Sequence, residues 1–131
     1  MEKNVLKSFL FICLGLTITT LVFAGAKAII TAPSPPGKPS ADNVTTTGCT
    51  LKYLPPENDG GAPVVAYDIE YKLISWGWDS WRDKGMSPTL EHTISDMMEN
   101  TTAIFRVKAG NRMGKSEPSK VSNEVTFEDP F

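Results

Sequence analysis

The stretch that decides the fold is Ala103-Ile104-Phe105-Arg106-Val107-Lys108-Ala109-Gly110-Asn111-Arg112-Met113-Gly114-Lys115-Ser116-Glu117-Pro118-Ser119. Ala103, Phe105, Val107 and Ala109 share one parity, and Ile104, Arg106 and Lys108 share the other. Successive strand side chains point to opposite faces, so residues 103–109 predict a strand with one face in a core. Gly110 to Gly114 follow as a loop, because Gly and Asn tolerate positive φ. A second strand is expected after Pro118, which makes the stretch a β-hairpin.

Outward from this hairpin, short alternating segments recur. Strands are expected at Asp42–Thr46, at Cys49–Tyr53, at Val65–Lys72 with Tyr67, Ile69 and Tyr71 on one face, from Trp81-Arg82 to near Gly85, at Leu90–Ser95, and from about Lys120 to Phe127. Pro55 to Pro63 is a dense turn cluster, and no stretch of ten residues has helical periodicity. The pattern predicts an all-β, seven-stranded antiparallel sandwich.

The start of the chain reads differently. Lys3 and Lys7 precede an apolar run from Phe9 to Ala24, which ends in small residues at Ala24-Gly25-Ala26. A basic start, an apolar middle and a small-residue end define a secretory signal peptide, here 1–26. An uncleaved membrane anchor is the alternative, since about 18 apolar residues is the lower limit for a span. Residues 27–36 are a Pro-rich lead-in, 37–128 the domain and 129–131 a tail or linker. The prolines remove donors, so the lead-in cannot join a sheet centrally. The chain has 131 residues, 13 basic and 15 acidic side chains and two cysteines, Cys13 and Cys49. Such a balance, without a basic patch, suggests no nucleic-acid partner. After cleavage Cys49 stands alone. It alternates with Leu51 and Tyr53, and is expected inside as a small apolar residue.

Six segments fall in order: Pro-Pro-Gly-Lys-Pro at 35–39, Cys-Thr-Leu-Lys-Tyr-Leu-Pro-Pro at 49–56, Asn-Asp-Gly-Gly-Ala-Pro at 58–63, Tyr-Asp-Ile-Glu-Tyr at 67–71, Phe-Arg-Val-Lys-Ala-Gly-Asn at 105–111 and Gly-Lys-Ser-Glu-Pro-Ser at 114–119. Together they resemble a fibronectin type III domain over about residues 33–128, nearest the subtype of titin- and twitchin-like muscle proteins. Glu128-Asp129-Pro130-Phe131 is similar to the connector between domains of such arrays. The resemblance implies a non-catalytic binding or scaffolding module. Two residues depart from it. Tyr53 stands where the family usually has tryptophan, and Ala103 where it usually has the tyrosine that ties the turn before this strand. Met97 or Met98, both adaptable gap fillers, is expected to occupy the vacated volume.

Candidate site residues are few. Trp81 is expected to pack at the start of the fourth strand. Trp76 and Trp78 lie in the loop before it, where exposed aromatics suit a protein contact site or fold back over the sheet edge. The Asn58–Ala62 loop and the outward sheet faces are further candidate surfaces. His92, the single histidine, shares parity with Ile94 and has no second histidine to complete a metal or catalytic set. Asn43-Val44-Thr45 and Asn100-Thr101-Thr102 fit the N-glycosylation pattern. The 111–115 loop has no Arg-Gly-Asp, and there is no Trp-Ser-x-Trp-Ser element. No enzyme, cofactor or metal is expected. The functional expectation is a secreted, monomeric module binding a protein partner; the alternative is a spacer unit of a muscle-type array.

Overall fold

The computed structural model describes residues 28–77 and 80–131. Among the described residues eight strands form two antiparallel sheets. Three make the first: β1 (Ser40–Asp42), β2 (Cys49–Lys52) and β5 (Glu91–Ile94), in the order β1-β2-β5. The second runs β4-β3-β6-β7, from β3 (Ala66–Leu73), β4 (Arg82–Ser87), β6 (Thr102–Asn111) and β7 (Gly114–Lys115). The short β8 (Val125–Thr126) pairs with β6.

The parity read from the sequence holds where it matters. Tyr67 and Ile69 of β3 and Ala103, Phe105, Val107 and Ala109 of β6 are buried, opposite Cys49, Leu51 and Ile94 of the first sheet. Met97 lies in this core, whereas Met98 is 69% exposed. Ala103 is paired with Leu73 on one side and Val125 on the other. The turn that a tyrosine would tie is held by backbone instead: Asn100 N–H donates to Phe127 O at 2.7 Å and Phe127 N–H to Thr101 O at 2.9 Å. Phe127, just after β8, is itself fully buried.

Three expected strands end elsewhere. The first lies earlier, at Ser40–Asp42, because Asn43 takes φ 51° and turns the chain. The fourth continues past Gly85 to Ser87. A bulge between Ile69 and Glu70, with Gly85 at φ 119°, absorbs an extra residue there. The last is no regular strand. Only β8 falls within it, and between β7 and β8 serines replace the ladder. Ser116, Ser119 and Ser122 N–H groups donate to Ala109, Val107 and Phe105 carbonyls at 2.7, 2.8 and 2.8 Å. The reverse bonds, from Ala109, Val107 and Phe105 N–H, go to the serine Oγ atoms at 2.9, 3.0 and 3.0 Å. Each hydroxyl then donates to the next residue's carbonyl, at 2.8, 2.9 and 2.7 Å. Two residues of β6 advance roughly 6.7 Å. Three edge residues cover that distance, so the edge is puckered and its carbonyls cannot meet every β6 donor. The side-chain oxygen takes their place. The expected hairpin is therefore two residues of β7 followed by this serine edge.

The lead-in has the same period. Thr31, Ser34 and Gly37 N–H donate to Gly60, Asn58 and Leu54 carbonyls at 2.9, 2.8 and 2.9 Å, while Pro33, Pro36 and Pro39 are buried. Three residues per turn is the polyproline II repeat, which places one donor inward per turn. Proline-bearing edges of this kind also block pairing with other sheets. Gly60 is obligatory here: it sits at φ 80°, and a Cβ would lie 2.1 Å from Thr31 O.

Candidate functional site

The corner between β3 and β4 gathers the aromatic candidates. Trp76 N–H donates to Leu73 O at 3.0 Å, which folds the loop back. Its ring lies 5.5 Å from that of Tyr71, and the Arg82 guanidinium sits 4.4 Å from its centre. Lys84 Nζ lies 5.6 Å from the Tyr71 ring. Trp81 precedes β4, where it is half-buried beside Arg106 at 4.3 Å and Lys72 at 5.7 Å. Arg106 also donates to Glu70 Oε1 at 2.7 Å, and Lys108 is 3.5 Å from the same carboxylate. Each cation over a ring is worth about 0.5–1 kcal/mol at an exposed site. Trp76 and Trp81 are thus two partly exposed indoles with fixed orientations but on opposite faces of the sheet, since Tyr71 pairs with the buried Phe105 and Arg106 with Glu70 on the other face. Trp78 lies outside the described residues.

This corner shares one end of the sandwich with both sequons. Ile74 N–H donates to Thr102 O at 3.0 Å, which sets the corner beside the β5–β6 turn, and Met97 N–H donates to Thr47 O at 2.9 Å, which joins the β1–β2 turn to it. Asn43 and Asn100 are exposed in these turns with φ 51° and 63°.

At the opposite end, Asn111 is a hub that the alternation template passes over. Its Nδ2 donates to Thr31 O at 2.7 Å and to Asp59 O at 2.8 Å. Its Oδ1 accepts Met113 N–H at 2.8 Å and Gly114 N–H at 3.2 Å. One buried amide thereby ties the lead-in, the 58–61 loop and the β6–β7 turn. Within that loop Asn58 and Asp59 carboxamide and carboxylate oxygens accept Gly60 and Gly61 N–H, each at 2.8 Å.

The remaining polar candidates are structural. His92 is half-buried opposite Leu51, packed against Gly85. Among the described residues no group of three His, Cys, Asp or Glu could hold a metal ion, and no helix is long and apolar enough to cross a membrane. Tyr53 is buried, its hydroxyl donating to Thr89 O at 2.8 Å and its ring 5.1 Å from Tyr67. Cys49 is a buried free thiol, pushed up to about 11 by burial and then by the Asp42 charge. Its folded-state value is raised above the ordinary 9.0, so its contribution is complete below pH 9 and lost as pH rises towards 11. Such a shift is worth on the order of 2–3 kcal/mol. The wild type is therefore expected to lose up to this much more stability than Cys49→Ala between pH 9 and 11, read by urea unfolding. At neutral pH the thiol should resist labelling until denaturant is added.

The family model described as "Fibronectin type III domain" matches residues 34–125. The chain belongs to the fibronectin type III family. It is similar to cell adhesion molecule DSCAM of Rattus norvegicus, 41% identical over 102 residues, covering 75% of this chain and 5% of that protein. It is also similar to the titin homolog of Caenorhabditis elegans, 30% identical over 97 residues and 74% of this chain, a share of that protein that rounds to 0%. Domains A168–A170 from titin superpose with a TM-score of 0.72 at 26% identity, covering 75% of this chain and 33% of theirs. The chain thus spans a small fraction of the curated relatives it matches.

Proposed function

We propose that this chain is a secreted, monomeric, non-catalytic module that binds a protein partner through the β3–β4 corner. The observation that supports it is the partly exposed indole of Trp76, held in one orientation by Tyr71 and Arg82. Tryptophan and arginine dominate interface hot spots, and a pre-oriented ring loses little entropy on binding. The adhesion relative favours a cell-surface or extracellular setting. In that setting the 1–26 leader is removed, and Asn100 and Asn43 carry glycans. The second reading is a spacer in a muscle-type array, favoured by the titin relatives.

The experiment expresses the chain with its own leader in secreting cells. The product is expected in the medium, starting near Lys27 and glycosylated at Asn100. As bait in extracellular fluid it retains a partner that the Trp76→Ala/Trp78→Ala variant loses, with melting unchanged to within about 2 °C. Recovery of the uncleaved chain from cytosol would overturn secretion in favour of the spacer reading. A double variant that unfolds would make the indoles part of the fold and not a contact site.

A further inference from the structure

We infer that the β3–β4 corner recognises an extended acidic segment of its partner protein through Arg82 and Lys84. This rests on the corner's being a contact site. Four side chains form a chain of contacts there. The Arg82 guanidinium lies 4.4 Å from the Trp76 ring centre, the Trp76 and Tyr71 rings are 5.5 Å apart, and Lys84 Nζ lies 5.6 Å from the Tyr71 ring. Attraction to a ring uses a cation's charge and none of its N–H donors. Among the described residues Arg82 and Lys84 join no ion pair and donate no side-chain hydrogen bond, whereas Arg106, Lys108 and Lys115 each meet a carboxylate on the other face. Arg82 is exposed and keeps its planar fork for a bidentate carboxylate.

The bulge in β4 is what puts Lys84 there. Ser87 pairs with Tyr67, Met86 with Asp68 and Gly85 with Ile69, so the next residue back would oppose Glu70. Asp83 opposes Glu70 instead, and Lys84 is the extra residue. Regular alternation would send Lys84 to the face that holds Asp68 and Glu70, where a carboxylate would neutralise it. The bulge, eased by Gly85 at φ 119°, turns Lys84 to the Tyr71 side and leaves Asp83 on the other. Two cations of one strand thus share a side from which the intervening acid is directed away. An extended segment carries side chains i and i+2 on one face, so carboxylates at alternate positions can meet both cations. Ile74, 49% exposed in the same turn, adds an apolar surface beside them. Two cations on a chain of net charge −2 suit a short acidic segment and not a polyanion.

The test titrates a capped Glu-Thr-Glu-Thr-Leu peptide into the isotope-labelled chain and follows amide and indole signals. Shifts are expected at Leu73–Trp76 and Arg82–Lys84. A Gln-Thr-Gln-Thr-Leu peptide should bind about tenfold more weakly. Arg82→Lys, which keeps the charge and loses the fork, should weaken binding about threefold. The Arg82→Glu/Lys84→Glu variant should lose the acidic peptide and bind Lys-Thr-Lys-Thr-Leu instead, a swap that an unfolded chain could not show. Raising salt from about 0.05 to 0.5 M should weaken the contact severalfold. Equal binding of the Glu and Gln peptides at the corner would overturn the acidic preference and leave the corner a contact site. So would a partner that the Arg82→Glu/Lys84→Glu bait retains and the Trp76→Ala/Trp78→Ala bait loses. No shifts at millimolar peptide, shifts elsewhere, or tighter binding there of a heparin fragment would each overturn the inference as well.

Discussion

A chain with Ser116, Ser119 and Ser122 all replaced by alanine is expected to melt at least about 12 °C below the wild type. Each serine Oγ accepts one buried β6 N–H, at 2.9, 3.0 and 3.0 Å. Alanine leaves that donor without a partner and without water, at about 1–3 kcal/mol each. The three sites share one edge, so the sum is not strictly additive, and about 3–6 kcal/mol is expected together. A domain of this size shifts by about 4–8 °C per kcal/mol. Calorimetry measures the total. Hydrogen exchange locates it, since the Phe105, Val107 and Ala109 amides should lose protection while Tyr67 and Ile69 keep theirs. The exposed Lys120→Ala, on the same segment, should stay within about 2 °C. A triple variant that melts with the wild type would mean that other groups satisfy β6.

The second large effect is expected at Asn111. Asn111→Ala should cost about 3–5 kcal/mol in urea unfolding, because it strands the Thr31 and Asp59 carbonyls and the Met113 and Gly114 amides. Asn111→Asp separates the two halves of the hub. It keeps the acceptor for Met113 and Gly114 but faces the two carbonyls with a charged oxygen. The fold then favours the protonated acid, so the introduced carboxyl titrates above its unfolded value of about 3.9. Stability is accordingly fuller below about pH 4 and lost as pH rises through the folded-state value. Asn111→Asp relative to Asn111→Ala should therefore gain stability on acidification. Equal pH profiles for the two variants would show that the Nδ2 bonds contribute nothing.

The alternation of Tyr67, Ile69, Phe105 and Val107 was legible because strand parity is a local property, and a core needs only apolar residues on one parity. The family segments were legible for a related reason, since turns such as Asn58-Asp59-Gly60-Gly61 are built by side chains bonding their own backbone two residues on. Ala103 was legible as a departure. Its consequence was not, because the Phe127 backbone holds the neighbouring turn from 27 residues away from Asn100. The corner aromatics were legible as candidates from composition, while their cationic braces come from β3, β4 and β6.

The alternating strands and the sandwich class follow from the sequence by itself, since each rests on residues adjacent in the chain. The serine edge, the docked lead-in, the Asn111 hub and the re-aimed Lys84 were decided by tertiary structure. Ser116, Ser119 and Ser122 recur in plain sight every third residue, but their partners are peptide groups 7, 12 and 17 residues away. Asn111 reaches peptide groups 80 and 52 residues away. Peptide groups are the same at every position, so no side-chain identity marks them as partners until the fold brings them within hydrogen-bond distance.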